Sequence, residues 1–558
     1  MADHVLPTGP FDRAGALARL AGDTFDVLVV GAGITGAGVA LDAAARGLRT
    51  ALVDAGDLAC GTSSMSSKMV HGGLRYLSSG ERKLVTEALA ERQHLLDNAP
   101  HLVTPLPFLI PLFAKADGST AAVKGLAKAY SSALWLYDVC GGLRIGHRHS
   151  RTSPAEARAH LPTLRADLLV DAFLYWDAAA DDARLTLAVA RTAAAHGAAV
   201  ATYAPVTELT RSPAGALDGA VLADGTRVRA KAVVNAGGVW GEQVAQLAGA
   251  GDHVAIRPAK GVHVTVPADR LPCDQATVLA VPGDRRSVFV VPWRGSGFTY
   301  IGTTDTDYDG DLRSPRCSAA DVDYLLRAVN AWTTSALTPA DVTGSWAGLR
   351  PLVAGASEKT ADLSRRHRVT TAADGLVTVT GGKLTTYRRM AADAVDAAYA
   401  VLGRHAPRCP TKRLALWGAP TAADAAPADE LADRLGLPAA TVAHLQGRFG
   451  TAARAVAALV EADPALGAPL VEGLPYLRAE AVHSARTEMV HTLVDLLWRR
   501  TRAGILDREA TLAAAPAAAA LVAGELGWSA ARVEQEVAAV AAEVGAERSA
   551  IAADGVAA

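Results

Sequence analysis

Between Phe25 and Asp54 the chain admits one kind of local fold. A short apolar run rich in β-branched residues, Phe25 to Val30, passes directly into Gly31-Ala32-Gly33-Ile34-Thr35-Gly36, and a helix-forming stretch follows to Arg46-Gly47. A second strand, Thr50 to Val53, ends on Asp54, 23 positions after Gly31. This strand, glycine turn, helix and strand form a βαβ unit in which each glycine has a physical task. Gly31 permits the tight turn, Gly33 lets a pyrophosphate approach the backbone, and Gly36 lets helix and strand pack closely. The helix amino terminus then holds the anion, and Asp54 accepts hydrogen bonds from the adenosine ribose. A dinucleotide is the ligand that such a unit binds.

The motif lies near the start of the chain and similar glycine turns recur far downstream, which favours a long cofactor threaded through one domain, FAD rather than NAD. Ala232 to Val234 leads into Asn235-Ala236-Gly237-Gly238, and Leu376 to Thr380 leads into Gly381-Gly382 and a helix. Between these elements the pattern changes. Val254 to Val266 and Ser287 to Pro292 read as strands, and Gly295-Ser296-Gly297 joins Val288–Trp293 to Phe298–Gly302 as a hairpin, so an antiparallel sheet is expected. After about Arg408 the composition shifts to Ala, Leu, Glu and Arg with helical periodicity, as in Ala479 to Arg502. The expected fold class is α/β: a Rossmann-like FAD-binding domain, an antiparallel-sheet substrate domain, and a carboxyl-terminal α-helical domain. Residues 1–23 form an extension. Residues 24–405 interleave the flavin elements (near 24–80, 180–250 and 345–405) with the substrate sheet (near 80–180 and 250–345), and residues 406–558 form the helical domain.

Composition narrows the partners. Half of the 558 residues are hydrophobic, 20% are charged, and 55 Lys+Arg nearly cancel 57 Asp+Glu. A nucleic-acid coat needs a concentrated basic excess to displace counterions, so nucleic acid is not an expected partner. The five cysteines stand more than 40 residues apart, with no CxxC pair for a metal or dithiol, and read as reduced thiols. Met1 to Asp12 lacks the apolar core of a secretory signal. Leu106 to Phe113 and Leu512 to Val522 are too short or too interrupted by proline to span a bilayer. The expectation is a cytoplasmic protein, at most peripheral on the inner face of the cell membrane. His147 and His149 lie among arginines with no acidic neighbour in sequence and read as a polar loop, and Asp305 to Asp311 reads as a turn. No metal is expected.

Two segments carry residues suited to chemistry. Thr62-Ser63-Ser64-Met65-Ser66-Ser67 follows the second strand of the nucleotide unit, and its hydroxyls can hydrogen-bond a flavin ring edge and phosphates. Next come His71, Arg75 and Tyr76, which offer an ionisable ring, a fork of donors and a phenol. A solvated serine-rich loop is the alternative. The second segment, Gly381-Gly382-Lys383-Leu384-Thr385, stands at a strand end and helix start, where free amides and a lysine make an anion site. Its alternative is an exposed helix cap. Upstream, Trp346 to Leu352 places Arg350 in an apolar turn where it needs a partner. Arg365, Arg366 and Arg368 add positive charge that, taken singly, reads as a solvated face.

Val30 through Arg46-Gly47 and Gly381-Gly382-Lys383 through Tyr387-Arg388 with Ala391 resemble the two sequence patterns of the FAD-dependent glycerol-3-phosphate dehydrogenases, a DAO/glutathione-reductase-like family. Thr62 to Tyr76, Tyr300 to Asp305, Trp346 to Leu352 and Leu496 to Thr501 also resemble it, and the likeness spans roughly residues 24–510. One departure is Ala32, where the family usually has Gly. The resemblance implies non-covalent FAD and oxidation of sn-glycerol 3-phosphate to dihydroxyacetone phosphate, with electrons passed to a membrane quinone. It implies that Arg75, Tyr76 and Arg365 anchor the substrate, and that Lys383, Arg350 and His71 lie near its hydroxyl. An arginine is a poor base, so His71 or a desolvated Lys383 is favoured for the proton and Arg350 for stabilising oxyanion charge. The cofactor set then comprises Gly31, Gly33, Gly36, Asp54, Thr62, Ser63, Ser66, Ser67, Gly237, Gly381, Gly382, Leu384 and Thr385. Membrane contact through Pro105 to Phe113 and Ala121 to Tyr137, with Lys115, Lys124 and Lys128, is a further expectation. A homodimer is compatible with the resemblance. An oxygen-using glycerophosphate oxidase and a flavin-binding protein without turnover are the competing functions.

Overall fold

The computed structural model describes residues 11–78, 80–114, 121–249, 255–353, 367–420 and 428–552. Thr24–Val30 is buried at every position after the first, as a strand covered on both faces must be. It is the centre of a sheet that runs Arg368–Thr371, Val377–Thr380, Arg227–Asn235, Thr24–Val30, Thr50–Val53 and Ala199–Ala201, with Val206–Arg211 and Leu217–Leu222 appended. The four strands Val377–Thr380, Arg227–Asn235, Thr24–Val30 and Thr50–Val53 run parallel, and Ala199–Ala201 continues them.

Helices Ile34–Ala45, Asp182–Ala195 and Tyr387–Val401 share one apolar core with Val27 and Val29, while Phe25, Leu28 and Val30 pack into a second core with Ala16 and Leu20. Those last two belong to helix Arg13–Gly22, whose first turn is capped by Asp12, so part of the expected extension is a packed element of the sheet.

The second sheet runs Thr306–Asp307, Ile256–Pro267, Phe298–Gly302, Ser287–Trp293, Ala276–Ala280, Val103–Phe113, Leu169–Ala180 and Met69–Val70. Gly344–Val353 pairs with Ile256–Pro267, and Ser150–Thr152 pairs with Leu169–Ala180. It is antiparallel, hairpin included, except where Ala276–Ala280 meets Val103–Phe113 in parallel. Pro105, Pro107 and Pro111 occupy alternate positions of Val103–Phe113, so their missing N–H donors all fall on one edge of that strand. Leu106, Phe108, Leu109 and Ile110 are buried. This corrects the expectation that Pro105 to Phe113 lies at a membrane surface: it is a core strand, and only the following helix remains exposed.

Past residue 428 the described structure is helical. The periodicity over Ala479 to Arg502 does not give one helix. Arg478–Thr487 stops at Glu488, Met489 takes a left-handed backbone, and Asp495–Arg500 winds as a π-turn. The break has a tertiary cause, since the Glu488 carboxylate is claimed across the domain boundary by Arg184, while its carbonyl accepts from Arg500 of the same domain. Helix Arg508–Leu526 is the one described helix long and apolar enough by length and composition to cross a membrane. It contains Pro516 and packs Ala515, Ala518, Ala519 and Val522 into the helical core against its neighbours Arg478–Thr487 and Ala530–Ala552.

Candidate functional site

The glycine turn has the geometry its sequence demands. Gly31 has φ of +106°, and a Cβ there would lie 2.6 Å from the Ala236 carbonyl oxygen. A Cβ on Gly36 would lie 1.8 Å from the Gly31 oxygen, so no larger residue fits. Gly33 caps helix Ile34–Ala45 without a side chain, and Ile34 N–H donates to Ser63 Oγ at 2.9 Å. The remaining first-turn amides face the place where a pyrophosphate belongs. Asp54 has a task inside the turn itself: its carboxylate accepts Ala32 N–H at 2.5 Å and Gly56 N–H at 2.8 Å, tying the turn to the second strand. Burial outweighs these donors and pushes the Asp54 carboxyl above its ordinary range. Gly237 N–H donates to Asn235 Oδ1, and the same fully buried side chain donates to the Gly241 carbonyl, so Asn235 fixes this turn. The cradle thus fits a dinucleotide: small residues where a Cβ would collide, a helix amino terminus aimed inward, and an acid at the strand end.

The hydroxyl loop is built, and not merely solvated. Thr62 Oγ1 donates to the Leu349 carbonyl at 2.5 Å, Ser66 N–H and Oγ both donate to Asp182, and Ser67 Oγ lies 2.8 Å from His263 Nε2. Trp346 Nε1 donates to the Ser66 carbonyl, and Tyr300 to that of Ser67. Gly348 is required here because a Cβ would meet the Met65 carbonyl at 2.3 Å, which brings the Arg350 strand against the loop.

His263 and Lys68 escaped the reading of the sequence. His263 is buried, stacks on Trp346 at 4.7 Å, and its Nδ1 has no partner among the described residues. Burial, then the charges of Lys68 and Arg350, hold its pKa well below the usual value, so the ring is neutral. Lys68 has a left-handed backbone and sets its ammonium 4.6 Å from the Trp346 ring and 3.2 Å from Asp182. Burial and the neighbouring Arg502 push it down to about 7. A polar residue between Val262 and Val264 was the one sequence signal for His263.

The second cluster closes onto the first. Gly381 and Gly382 both have positive φ, 72° and 84°, and this double kink ends strand Val377–Thr380. Lys383 then caps the turn Leu384–Thr386 ahead of helix Tyr387–Val401. Thr385 Oγ1 accepts His71 N–H at 3.2 Å and donates to the His71 carbonyl at 3.3 Å, joining residues 314 apart in sequence. Lys383 Nζ sits 3.9 Å from the Tyr76 ring centroid, and Arg75 Cζ lies 5.8 Å from the same ring. Leu384 packs into the core beneath. Arg350 has the partner its burial required: it meets Asp305 at 2.9 Å and Thr303 and Thr304 nearby, over Gly261, whose Cβ would fall 2.5 Å from the guanidinium. Arg365 and Arg366 lie outside the described residues, and Arg368 is exposed at the start of a sheet-edge strand. His149, read as lacking an acidic neighbour, meets Asp138 at 2.6 Å through the fold.

Cradle, hydroxyl loop and cation cluster thus gather at the carboxyl ends of the first sheet's strands, the arrangement of an FAD-dependent oxidoreductase of the DAO fold. The sequence profile of the FAD dependent oxidoreductases (DAO) matches residues 26–388, and that of the C-terminal domain of alpha-glycerophosphate oxidase matches residues 409–533. The chain is 43% identical to glycerol-3-phosphate dehydrogenase 2 of Mycobacterium bovis, over 97% of this chain and 91% of that protein. It is 35% identical to the mitochondrial glycerol-3-phosphate dehydrogenase of Mus musculus, over 92% and 72%. The crystal structure of the glycerol-3-phosphate dehydrogenase from Bacillus halodurans complexed with FAD superposes with a TM-score of 0.77 at 31% identity, covering 95% of this chain and 97% of that one. The chain belongs to the FAD-dependent glycerol-3-phosphate dehydrogenase family.

Proposed function

We propose that this protein oxidises sn-glycerol 3-phosphate at carbon 2 to dihydroxyacetone phosphate and delivers the electrons to a membrane quinone. The observation that carries the reading is the cluster of Lys383, Arg75 and Tyr76, assembled from two distant segments beside the dinucleotide cradle, where a small dianion needs fixed cations. FAD, once bound, supplies the hydride acceptor. Arg75 and Lys383 bind the phosphate, joined by Arg365. A cation over an aromatic face is attracted as a cation, so Lys383 is suited to holding anionic oxygen, and His71 takes the proton from the substrate hydroxyl. Arg350, fixed by Asp305, stabilises charge developing on that oxygen.

Delivery to a lipid-soluble acceptor calls for a membrane face, and helix Ala121–Val139 offers it. Leu126, Trp135, Val139 and the adjoining Leu143 are 48–60% exposed, while Val123, Ala127, Leu134 and Tyr137 anchor the helix to the second sheet. Beside it a groove of about 790 Å³ is lined by Lys124, Lys128 and Arg148, cations placed for anionic headgroups, and by Arg151, which pairs with Asp171 on the same wall. This reading places the protein on the inner face of the cell membrane.

The match of residues 409–533 to an oxidase domain favours oxygen as the second candidate acceptor. The test is anaerobic mixing of the holoenzyme with glycerol 3-phosphate, glycerol and an amino acid. Glycerol 3-phosphate alone should bleach the flavin, and added quinone should restore its colour faster than oxygen. No bleaching overturns the substrate; equimolar peroxide in air, with no quinone effect, makes oxygen the acceptor.

A further inference from the structure

The helical domain reaches the cofactor loop through the short segment Arg499 to Arg502. Arg500 grips Asp57 with both arms of its guanidinium, at 2.7 and 2.8 Å, and Arg499 Nε adds a third contact to the same carboxylate at 2.6 Å. Arg502 donates at 2.6 Å to Asp182, the residue that holds Ser66 and Lys68, and at 2.7 Å to the Ser64 carbonyl. Asp57 follows Asp54 in the loop that carries Ser63, so both ends of that loop are fastened by arginines from another domain.

These contacts are costly to build. Arg500 is 2% exposed, Arg502 is fully buried, and Asp57 and Asp182 are 1% and 0% exposed. Arg502 also takes a left-handed backbone conformation, φ +74°, which a side-chain-bearing residue adopts at a cost. The widened π-turn Asp495–Arg500 lets two successive arginines reach one carboxylate, and such turns concentrate at functional places. Asp495 and the Glu488 carbonyl in turn hold Arg499 and Arg500. Burying paired charges is a poor way to gain stability compared with apolar packing, so their geometric precision is the property they add.

We infer that Arg499, Arg500 and Arg502 are positioning residues for the cofactor: the helical domain holds residues 54–68 in the conformation that retains FAD, without touching it. The inference rests on the reading of this loop as part of the flavin site. By linkage, bound FAD must tighten the docking of the segment as much as the segment tightens FAD.

The experiment is release of FAD from the full-length holoenzyme on dilution, followed by the rise of free-flavin fluorescence, in Arg500→Gln, Asp57→Asn and the double variant. Each single variant should release FAD about tenfold faster, and the double variant no faster than the quicker single, because both remove one interaction. Glu547→Gln removes the charge that pairs with Arg508 at 3.3 Å inside the same domain, and should lower the melting temperature without altering release. Equal acceleration by Glu547→Gln, or unchanged release in Arg500→Gln and Asp57→Asn, overturns the inference. Ser63→Ala separates the two levels: if it speeds release while the Asp57 and Arg500 variants do not, the loop reading stands and the positioning role falls. If it has no effect, the loop reading itself falls. Hydrogen exchange gives a readout that survives poor folding of a variant, since removing FAD from the unmodified protein should raise exchange in residues 495–502. Unchanged exchange there also overturns the inference.

Discussion

At the scale of single residues, the site depends on cations held by what lies beside them. Lys383 owes its place to Gly381 and Gly382, which turn the chain so that the ammonium meets Tyr76. A residue that binds substrate but not the dinucleotide should separate turnover from cofactor content. Lys383→Ala is therefore expected to keep its flavin absorbance and lose about a hundredfold in kcat/KM for glycerol 3-phosphate, the size of effect expected when one hydrogen bond to a charged group is lost. Loss of flavin together with activity would make Lys383 a cofactor ligand. The residues legible in sequence were those whose type implies a task, glycines in a turn or a lysine at a helix start. His263 and Asn235 were not, because a lone polar residue in an apolar strand acquires meaning only from what the fold sets against it.

At the scale of elements, the glycine turn and the helix Ala121–Val139 make opposite demands. The turn tolerates nothing: Gly36→Ala forces a Cβ onto the Gly31 carbonyl, so helix and strand must separate. It should cost about 1–3 kcal/mol of stability and weaken FAD binding at least tenfold. Titration of the variant with FAD checks this, and native affinity would refute the close-packing argument. The helix, by contrast, has an outer face that packing does not need. Trp135→Ser with Val139→Ser should leave the melting temperature within about 2 °C and reduce sedimentation with anionic vesicles severalfold, since surface changes away from buried contacts move stability little. Unaltered vesicle binding would take the membrane role away from this face. Its exposure could not be read from periodicity alone, because Pro105 to Phe113 looked equally apolar and proved to be a core strand.

At the scale of the whole molecule, buried ionic contacts weld the helical domain to the flavin unit and make the assembly sensitive to acid. His101 and His483 are both pushed down to about 4, first by burial, from an ordinary 6.5. Between these values the unfolded chain binds protons that the folded chain refuses, so the stability these two rings allow is complete above about pH 6.5 and falls as the pH drops toward 4. Glu488 is held below its ordinary 4.5 by Arg184 against the cost of burial, and its contribution is lost only below that value, so in the interval from 4.5 to 6.5 the two histidines lower stability on acidification, opposed by buried carboxyls such as Asp54 whose pKa burial raises. The melting temperature of the holoenzyme should fall through this interval, and His483→Gln should flatten the slope; an unchanged slope would remove His483 from the account. Sequence alone determined the dinucleotide cradle, the antiparallel second sheet and the helical carboxyl-terminal region, because each is written in local periodicity and in glycines whose task is local. Tertiary structure alone decided that Thr385 meets His71, that Arg350 is neutralised by Asp305, and that the run Ala479 to Arg502 breaks. Those outcomes depend on charges and hydroxyls whose partners lie from 45 to 314 residues away, and no local pattern records which partner burial will supply.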